Sequence, residues 1–393
     1  FMRSRADGVS GIRVVDDHNL VVRLTRPFSP FLNQLAMTSA YVVPREEVEK
    51  RGADFSSHPV GTGPFVLKEW LHNQEMKLER RADYFEGPAK VKGIVYRIIP
   101  EDLTAVTEFE LGNLDVVTLP VSEYARYRQD PAQRQFIASI EGLNTYYLGL
   151  NCSRPPFDDP LLRKAVAAAI DREKILNTIY EKRGRPAKGP VPDVMRTWPL
   201  HSAGRYDPHW AADVISRSGL KARTIHFYIT ADQEIVDIAE VIQSYLRAAG
   251  MNVRITQLEW SAYKDAINRG EADMFYLSWW ADYPDPENFL FPLFHSSNHG
   301  AAGNRTRYAN PAVDALIEKG RDTLDESKRN SFYQKAEELI VADSPWVPLW
   351  HRTDFTVRQP WVKNYGTYPI YSMDKGLEIE IEYPNPEIKK SAR

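Results

Sequence analysis

The chain has 393 residues, with 50 basic against 53 acidic side chains for a net charge of −3, and 43% of its residues are hydrophobic. That length exceeds what one hydrophobic core ordinarily fills, so two or more lobes are expected. The near-balanced charge leaves no electrostatic footprint for nucleic acid or an anionic membrane surface, and no run approaches the roughly 18 apolar residues that span a bilayer.

A hairpin is predicted from Val14-Val15, the turn chemistry of Asp16-Asp17-His18-Asn19 and the apolar run Leu20-Val21-Val22-Arg23-Leu24, ended by Pro27 and Pro30. Val60-Gly61-Thr62-Gly63-Pro64 reads as a loop before a strand at Phe65-Val66-Leu67, with residues 76–80 as its partner and another alternating run at 94–99. Tyr146-Tyr147-Leu148-Gly149-Leu150 is a strand candidate, and the only cysteine, Cys152, rules out an internal disulfide or a Cys-based zinc site. Asp159-Pro160 supplies a cap and a first-turn proline for a helix whose face carries Leu162, Val166, Ala169 and Ile170, with Lys182-Arg183-Gly184 as its stop. From 185 to 210 Pro and Gly recur without period, which predicts a long surface connection.

The next segment is the most regular. Residues 224–230 form a β-rich run, 232–250 place Ile235, Ile238, Ile242 and Leu246 on one helical side, and Val253 and Ile255 alternate with polar residues. A short helix over 261–268 ends at Gly270, and Met274-Phe275-Tyr276-Leu277 is an uninterrupted apolar strand. This β-α-β-α-β order predicts parallel strands with right-handed crossovers, buried on both faces, and ligands in such sheets sit beyond the carboxyl ends of strands. Two more helices are expected, one capped by Asn310-Pro311 and one over 326–341, before a strand at Trp346-Val347-Pro348-Leu349-Trp350.

Where the last parallel strand is predicted to end, the chain reads Ser278-Trp279-Trp280-Ala281-Asp282-Tyr283-Pro284-Asp285-Pro286-Glu287-Asn288-Phe289. Asp282, Asp285 and Glu287 include a pair that glycoside hydrolysis requires, although acids in loops are usually just solvated. His295 and His299 lack the His-Glu-x-x-His pattern of a helical zinc site and read as surface histidines in a polar loop, so neither a metal nor a cofactor is called for. One carboxylate flanked by Trp and Tyr at the mouth of a parallel sheet suits capture of an ammonium, with the prolines holding the loop rigid. The same residues also fit a packing role, with the Trp pair in the core and Asp282 capping the next turn, and the residues alone do not choose.

Asp282 within Trp279-Trp280-Ala281-Asp282-Tyr283-Pro284-Asp285-Pro286 resembles the Trp-x-(Ala/Gly)-Asp loop of the peptide-binding solute receptors of ABC importers, the extracellular solute-binding proteins of family 5. The resemblance extends through Pro59-Val60-Gly61-Thr62-Gly63-Pro64-Phe65, Arg154-Pro155-Pro156-Phe157-Asp158-Asp159-Pro160, Ala169-Ile170-Asp171-Arg172-Glu173 and Tyr308-Ala309-Asn310-Pro311, in order and along the whole chain. It implies an α/β, two-lobed periplasmic-binding-protein (Venus flytrap) fold with mixed sheets and a remnant of a small inserted domain. Relatives carry a further N-terminal stretch, so the resemblance places the small-domain remnant at 1–44, lobe one at 45–145 and 361–393, and lobe two at 146–360. It also implies a salt bridge from Asp282 to a peptide's α-ammonium, main-chain pairing at Ser278 and Trp280, and a pocket wall from Trp279, Trp280, Ala281 and Tyr283, with Tyr146 near the hinge. Asp285 and Glu287 are then loop structure.

By the same resemblance the protein is not an enzyme but a monomeric receptor, periplasmic or lipid-anchored, that delivers peptides to an ABC permease. Similar receptors carry oligosaccharides, nickel chelates or opines, and a Trp-rich loop also suits sugar rings.

Overall fold

The computed structural model describes residues 9–180, 183–200, 204–220, 223–370 and 375–383. The predicted hairpin is present as β1 (Ile12–Asp16) and β2 (Asn19–Val22), with the Asp16 carboxylate accepting from the His18 N–H at 2.9 Å in the turn. Both strands stand in solvent. Short helices α1 (Phe31–Leu35) and α2 (Arg45–Arg51) lead to a separate three-stranded antiparallel sheet of β3 (Phe65–Leu71), β4 (Glu75–Arg80) and β5 (Gly93–Arg97). The Gly61 and Gly63 carbonyls accept from the Arg81 guanidinium, as turn backbone should.

Next come α3 (Asp102–Glu110), β6 (Val116–Thr118), α4 (Val121–Gln129) and β7 (Ile137–Glu141), around a small core of Phe109, Leu119, Tyr127 and Val357. Strand β8 (Asn144–Leu150) is buried along its whole length. The helix predicted after Asp159 is two helices, α5 (Pro160–Ala169) and α6 (Arg172–Thr178). The break falls at Asp171, whose side chain accepts from the Lys174 N–H and so starts a new helix rather than continuing the old one. Lys182 lies outside the described residues, and Gly184 is no helix stop but the start of β9 (Gly184–Pro186). A Cβ there would stand 2.5 Å from the His351 carbonyl oxygen, so the close approach of the two strands requires glycine.

The surface connection expected over 185–210 is corrected as well. Ala187, Val191, Trp198 and Leu200 are buried, and α7 (Pro208–Arg217) begins inside the stretch, capped by Asp207. Glu337 fastens this connection from below: it is fully buried and accepts from the Val191 N–H at 3.0 Å and the Trp198 indole at 2.9 Å. Burial pushes its carboxyl up from 4.5 to about 7, against the opposing pull of the Arg196 guanidinium. The folded state therefore holds a proton that the unfolded chain has released, and stability contributed by this group falls as pH rises from about 4.5 to about 7. Urea midpoints measured across that range are expected to decline in the native protein relative to Glu337→Gln; parallel curves would refute the assignment.

The β-α-β-α-β unit is present: β10 (Thr224–Thr230), α8 (Gln233–Ala248), β11 (Asn252–Leu258), α9 (Trp260–Arg269) and β12 (Met274–Trp280), with β10 parallel to both β11 and β12. After α10 (Glu287–Phe294), α11 (Pro311–Asp322) and α12 (Glu326–Asp343), β13 (Trp346–Arg358) completes a mixed sheet in the order β11-β10-β12-β8-β13-β6, with β7 and β9 also on β13. β14 (Val362–Lys363) and β15 (Glu380–Ile381) pair separately. One core, with Leu148, Phe227, Ile238 and Tyr276, fills the face under α5 to α8, and a second, with Tyr147, Phe275, Leu293 and Tyr333, fills the face under α9 to α12.

Strand β13 pairs with β8 over its first residues and with β7 and β6 over its last, so it joins the large sheet to the smaller core. The chain crosses at 142–145 and again at 350–353. Between them the Asn144 side chain, with no exposure, reinforces the 3.0 Å bond from the Gly142 N–H to the Arg352 carbonyl: its amide donates to the same carbonyl at 3.2 Å and its oxygen accepts from the Arg352 N–H at 2.8 Å. Beside it the His351 ring donates from Nδ1 to the Asn144 carbonyl at 2.9 Å. The fold is the expected mixed α/β, two-lobed one.

Candidate functional site

Strand β12 does not stop at Leu277. It runs to Trp280 because β8 pairs with it antiparallel all the way, from Met274 opposite Leu150 to Trp280 opposite Asn144. On its other side β10 follows only as far as Tyr228 opposite Phe275 and then diverges. The sheet thus splits at its carboxyl end, and residues 276–280 have no strand against that side among the described residues. The Ala281 N–H donates to the Leu143 carbonyl at 2.8 Å, on the β8 side. Backbone groups alternate along a strand, so those of Ser278 and Trp280 face the open side.

The paired tryptophans part company for the same reason, since successive side chains in a strand point to opposite faces. Trp280 shares the face of Tyr146, their rings edge-on at 6.4 Å, and is 40% exposed. Tyr146 itself is buried, with its hydroxyl 3.4 Å from Arg352. Trp279 lies on the opposite face, packed on the second core with its indole N–H toward the Asn288 side-chain oxygen at 3.3 Å. The structure therefore groups Ser278, Trp280 and Tyr146 on one side and Trp279 on the other.

The loop beyond sorts the three acids. Asp282 is exposed, and the Asn288 side chain grips it twice, accepting from its backbone N–H at 2.9 Å and donating to its Oδ2 at 3.1 Å. Asp285 is sealed, with its carboxylate accepting from the Glu287 N–H at 2.9 Å and paired with Arg329 at 3.2 Å. Glu287, in the first turn of α10, is sealed too and paired with Arg321 at 2.9 Å. Burial raises both carboxyls above their ordinary values. Loop structure is thus too weak a description of these two, because they carry buried charge. Ala281 and Tyr283 are buried, and the Tyr283 hydroxyl donates to Glu287.

The two histidines differ: His299 is exposed as expected of a surface histidine, whereas His295 is not. His295 is buried with Nδ1 2.8 Å from the Ser297 hydroxyl, and His299 Nε2 sits 3.0 Å from the Tyr308 carbonyl. Among the described residues no group of three metal-ligating side chains occurs. Burial pushes the Cys152 thiol up to about 12, which suits packing rather than reactivity. Asn288 was not singled out from sequence; the available signal was an Asn in the first turn of a helix six residues after the exposed acid.

An exposed, unburdened carboxylate held rigid beside an open strand edge is equipped to bind a cation that carries a peptide-like main chain. The sequence pattern of the bacterial extracellular solute-binding proteins, family 5 (middle), matches residues 2–301. The Di/tripeptide-binding protein 2 of Pseudomonas aeruginosa is 29% identical over 386 residues, 94% of this chain and 71% of that protein. Heme-binding protein A of Haemophilus influenzae is 26% identical over 388 residues, 95% of this chain and 70% of that protein. Among solved structures, the ABC transporter-associated periplasmic binding protein DppA of Helicobacter pylori, in complex with the peptide STSA, superposes with a TM-score of 0.82 at 26% identity, over 95% of this chain and 74% of that one. The match takes in β8, the whole parallel unit and the loop bearing Asp282, and the chain belongs to the bacterial extracellular solute-binding proteins, family 5.

Proposed function

We propose that this protein is the extracytoplasmic receptor of an ABC importer that holds peptides by their free amino terminus and main chain and hands them to a permease in the cytoplasmic membrane. The observation that carries this reading is the exposed Asp282, fixed by Asn288 at the end of a strand whose edge is open at Ser278 and Trp280. The carboxylate supplies charge for an ammonium, and the edge supplies ladder bonds that any peptide sequence can make. Trp280, exposed beside Tyr146, would wall the first side-chain position. Relatives named for di- and tripeptides and for a bound peptide support the cargo class.

In this reading residues 1–44 are a small-domain remnant, 45–145 with 361–393 one lobe and 146–360 the other. The crossings at 142–145 and 350–353 support two lobes, the second lying inside β13 and so ahead of residue 361. No helix among the described residues is long and apolar enough to cross a membrane.

Trialanine is expected to raise the melting temperature of the protein, and N-acetyl-trialanine to raise it far less at the same concentration, because acetylation removes the charge that Asp282 meets. Equal shifts from both would sink the ammonium role. Hemin and cellotriose belong in the same screen, since one relative is named for heme and Trp280 offers a face to sugar rings; a shift from either with none from trialanine would move the cargo class.

A further inference from the structure

The segment before α1 packs on the end of α11, and α1 itself reaches the ligand loop from behind through Gln34. The Ser29 N–H donates to the Arg321 carbonyl at 2.9 Å and its hydroxyl reaches toward the Gly320 carbonyl at 3.5 Å. Those carbonyls lie in the last turn of α11, where helical partners run out, so a residue nearly three hundred positions away serves as part of the helix's cap. Arg26 faces Asp322 at 3.4 Å. The Arg321 guanidinium lies over the Phe291 ring at 3.5 Å and beneath Phe28 at 5.1 Å, with its side chain only 14% exposed.

From Arg321 the contacts return to the same segment. Arg321 pairs with Glu287, Glu287 accepts from the Tyr283 hydroxyl, and that hydroxyl lies 3.4 Å from the Gln34 side-chain amide. Phe28 and Gln34 therefore close a ring of contacts that passes through Arg321, Glu287 and Tyr283. Glu287 is 2% exposed, so its charge is tolerable only while both partners stay in place. Tyr283 and Glu287 are each the chain neighbour of one member of the Asp282 and Asn288 grip. A shift of either pair is felt by the other.

We propose that residues 26–34 form a clasp that locks the back of the ligand loop and holds Asp282 in its binding position, so that opening the clasp releases bound ligand. The release arm rests on the peptide reading above; the locking arm does not. Both features belong to this chain's own residues: a cation sandwiched between Phe28 and Phe291, and an amide from Gln34 completing the buried Tyr283–Glu287 pair.

Two variants test it in the full chain. Phe28→Ala uncovers Arg321 from a half-buried position, and Gln34→Glu sets a second carboxylate against Glu287 without removing any ring. Without ligand, hydrogen exchange at the amides of residues 282–288 is expected to quicken about tenfold in each variant, while the amides of β10 and β11 stay unchanged. With trialanine, the dissociation rate is expected to rise about tenfold and the association rate to hold within about twofold. Loop exchange equal to that of the native protein in both variants would overturn the clasp. Exchange that quickens together with β10 and β11 would equally overturn it, as general loosening. If trialanine fails to bind the native protein the cargo reading falls, and the ligand-free exchange still decides the clasp.

Discussion

Asp282→Asn is expected to weaken binding of trialanine roughly 10- to 150-fold, the equivalent of losing the charge from one ionic hydrogen bond worth about 1.5–3 kcal/mol. The replacement is close to isosteric, and the two contacts that place the residue survive it. The Asn288 amide can still donate to an oxygen at that position, and the backbone N–H still donates to Asn288. What disappears is the negative charge, on a side chain that stands exposed while its two acidic neighbours are sealed against arginines. Calorimetry with free and N-acetylated peptide measures the effect directly. The variant should bind the acetylated peptide as the native protein does, so the two affinities converge; a native-like affinity of the variant for free trialanine would remove Asp282 from the site.

The second large effect is on stability. Asp285→Ala is expected to cost about 3 kcal/mol, toward the low end for breaking a buried ion pair. The carboxylate is 2% exposed, pairs with Arg329 at 3.2 Å and accepts from the Glu287 N–H at 2.9 Å. Its removal strands a guanidinium whose side chain keeps 18% exposure and so finds some water, which limits the loss. Burial has already raised the Asp285 carboxyl, a sign that desolvation outweighs the attraction to Arg329. Replacing both partners by apolar residues, Asp285→Leu with Arg329→Met, should therefore recover most of the loss, read as the urea midpoint. A full loss in the double variant would mean that the pair itself, rather than the stranded charge, carries the stability. An acid enclosed in this way has no path to a glycoside, which is why the paired-carboxylate chemistry suggested by the same twelve residues finds no support at Asp285.

The parallel unit was legible because its signals are local. Ile235, Ile238, Ile242 and Leu246 recur at helical spacing, and α8 buries the last three together with Ala239 while Ile235 is partly buried at its start. The end of β12 was not, since Ser278, Trp279 and Trp280 before two prolines read as loop, and only β8, more than a hundred residues away, keeps them extended. The stretch from 185 to 200 fails for the same reason: Pro and Gly carry no period, and its burial comes from Glu337 and from the pairing of β9 with β13. At the site, aromatic and acidic composition located the loop and Asp282. The fates of Asp285 and Glu287 depended on Arg329 and Arg321, contributed by separate helices that no spacing rule connects.

The side-chain rung at Asn144 has a mechanical meaning. Where β13 passes from the large sheet to the smaller core, the backbone contributes the Gly142 N–H to Arg352 carbonyl bond at 3.0 Å, and two further hydrogen bonds from one amide reinforce it, at a net worth of about 1 kcal/mol each. The rung fixes the register at this point, because the amide fits the N–H and C=O of one residue, Arg352. Burial holds the neighbouring His351 ring down to about 4, so it is uncharged near neutral pH, and the register set at Asn144 does not depend on its protonation there.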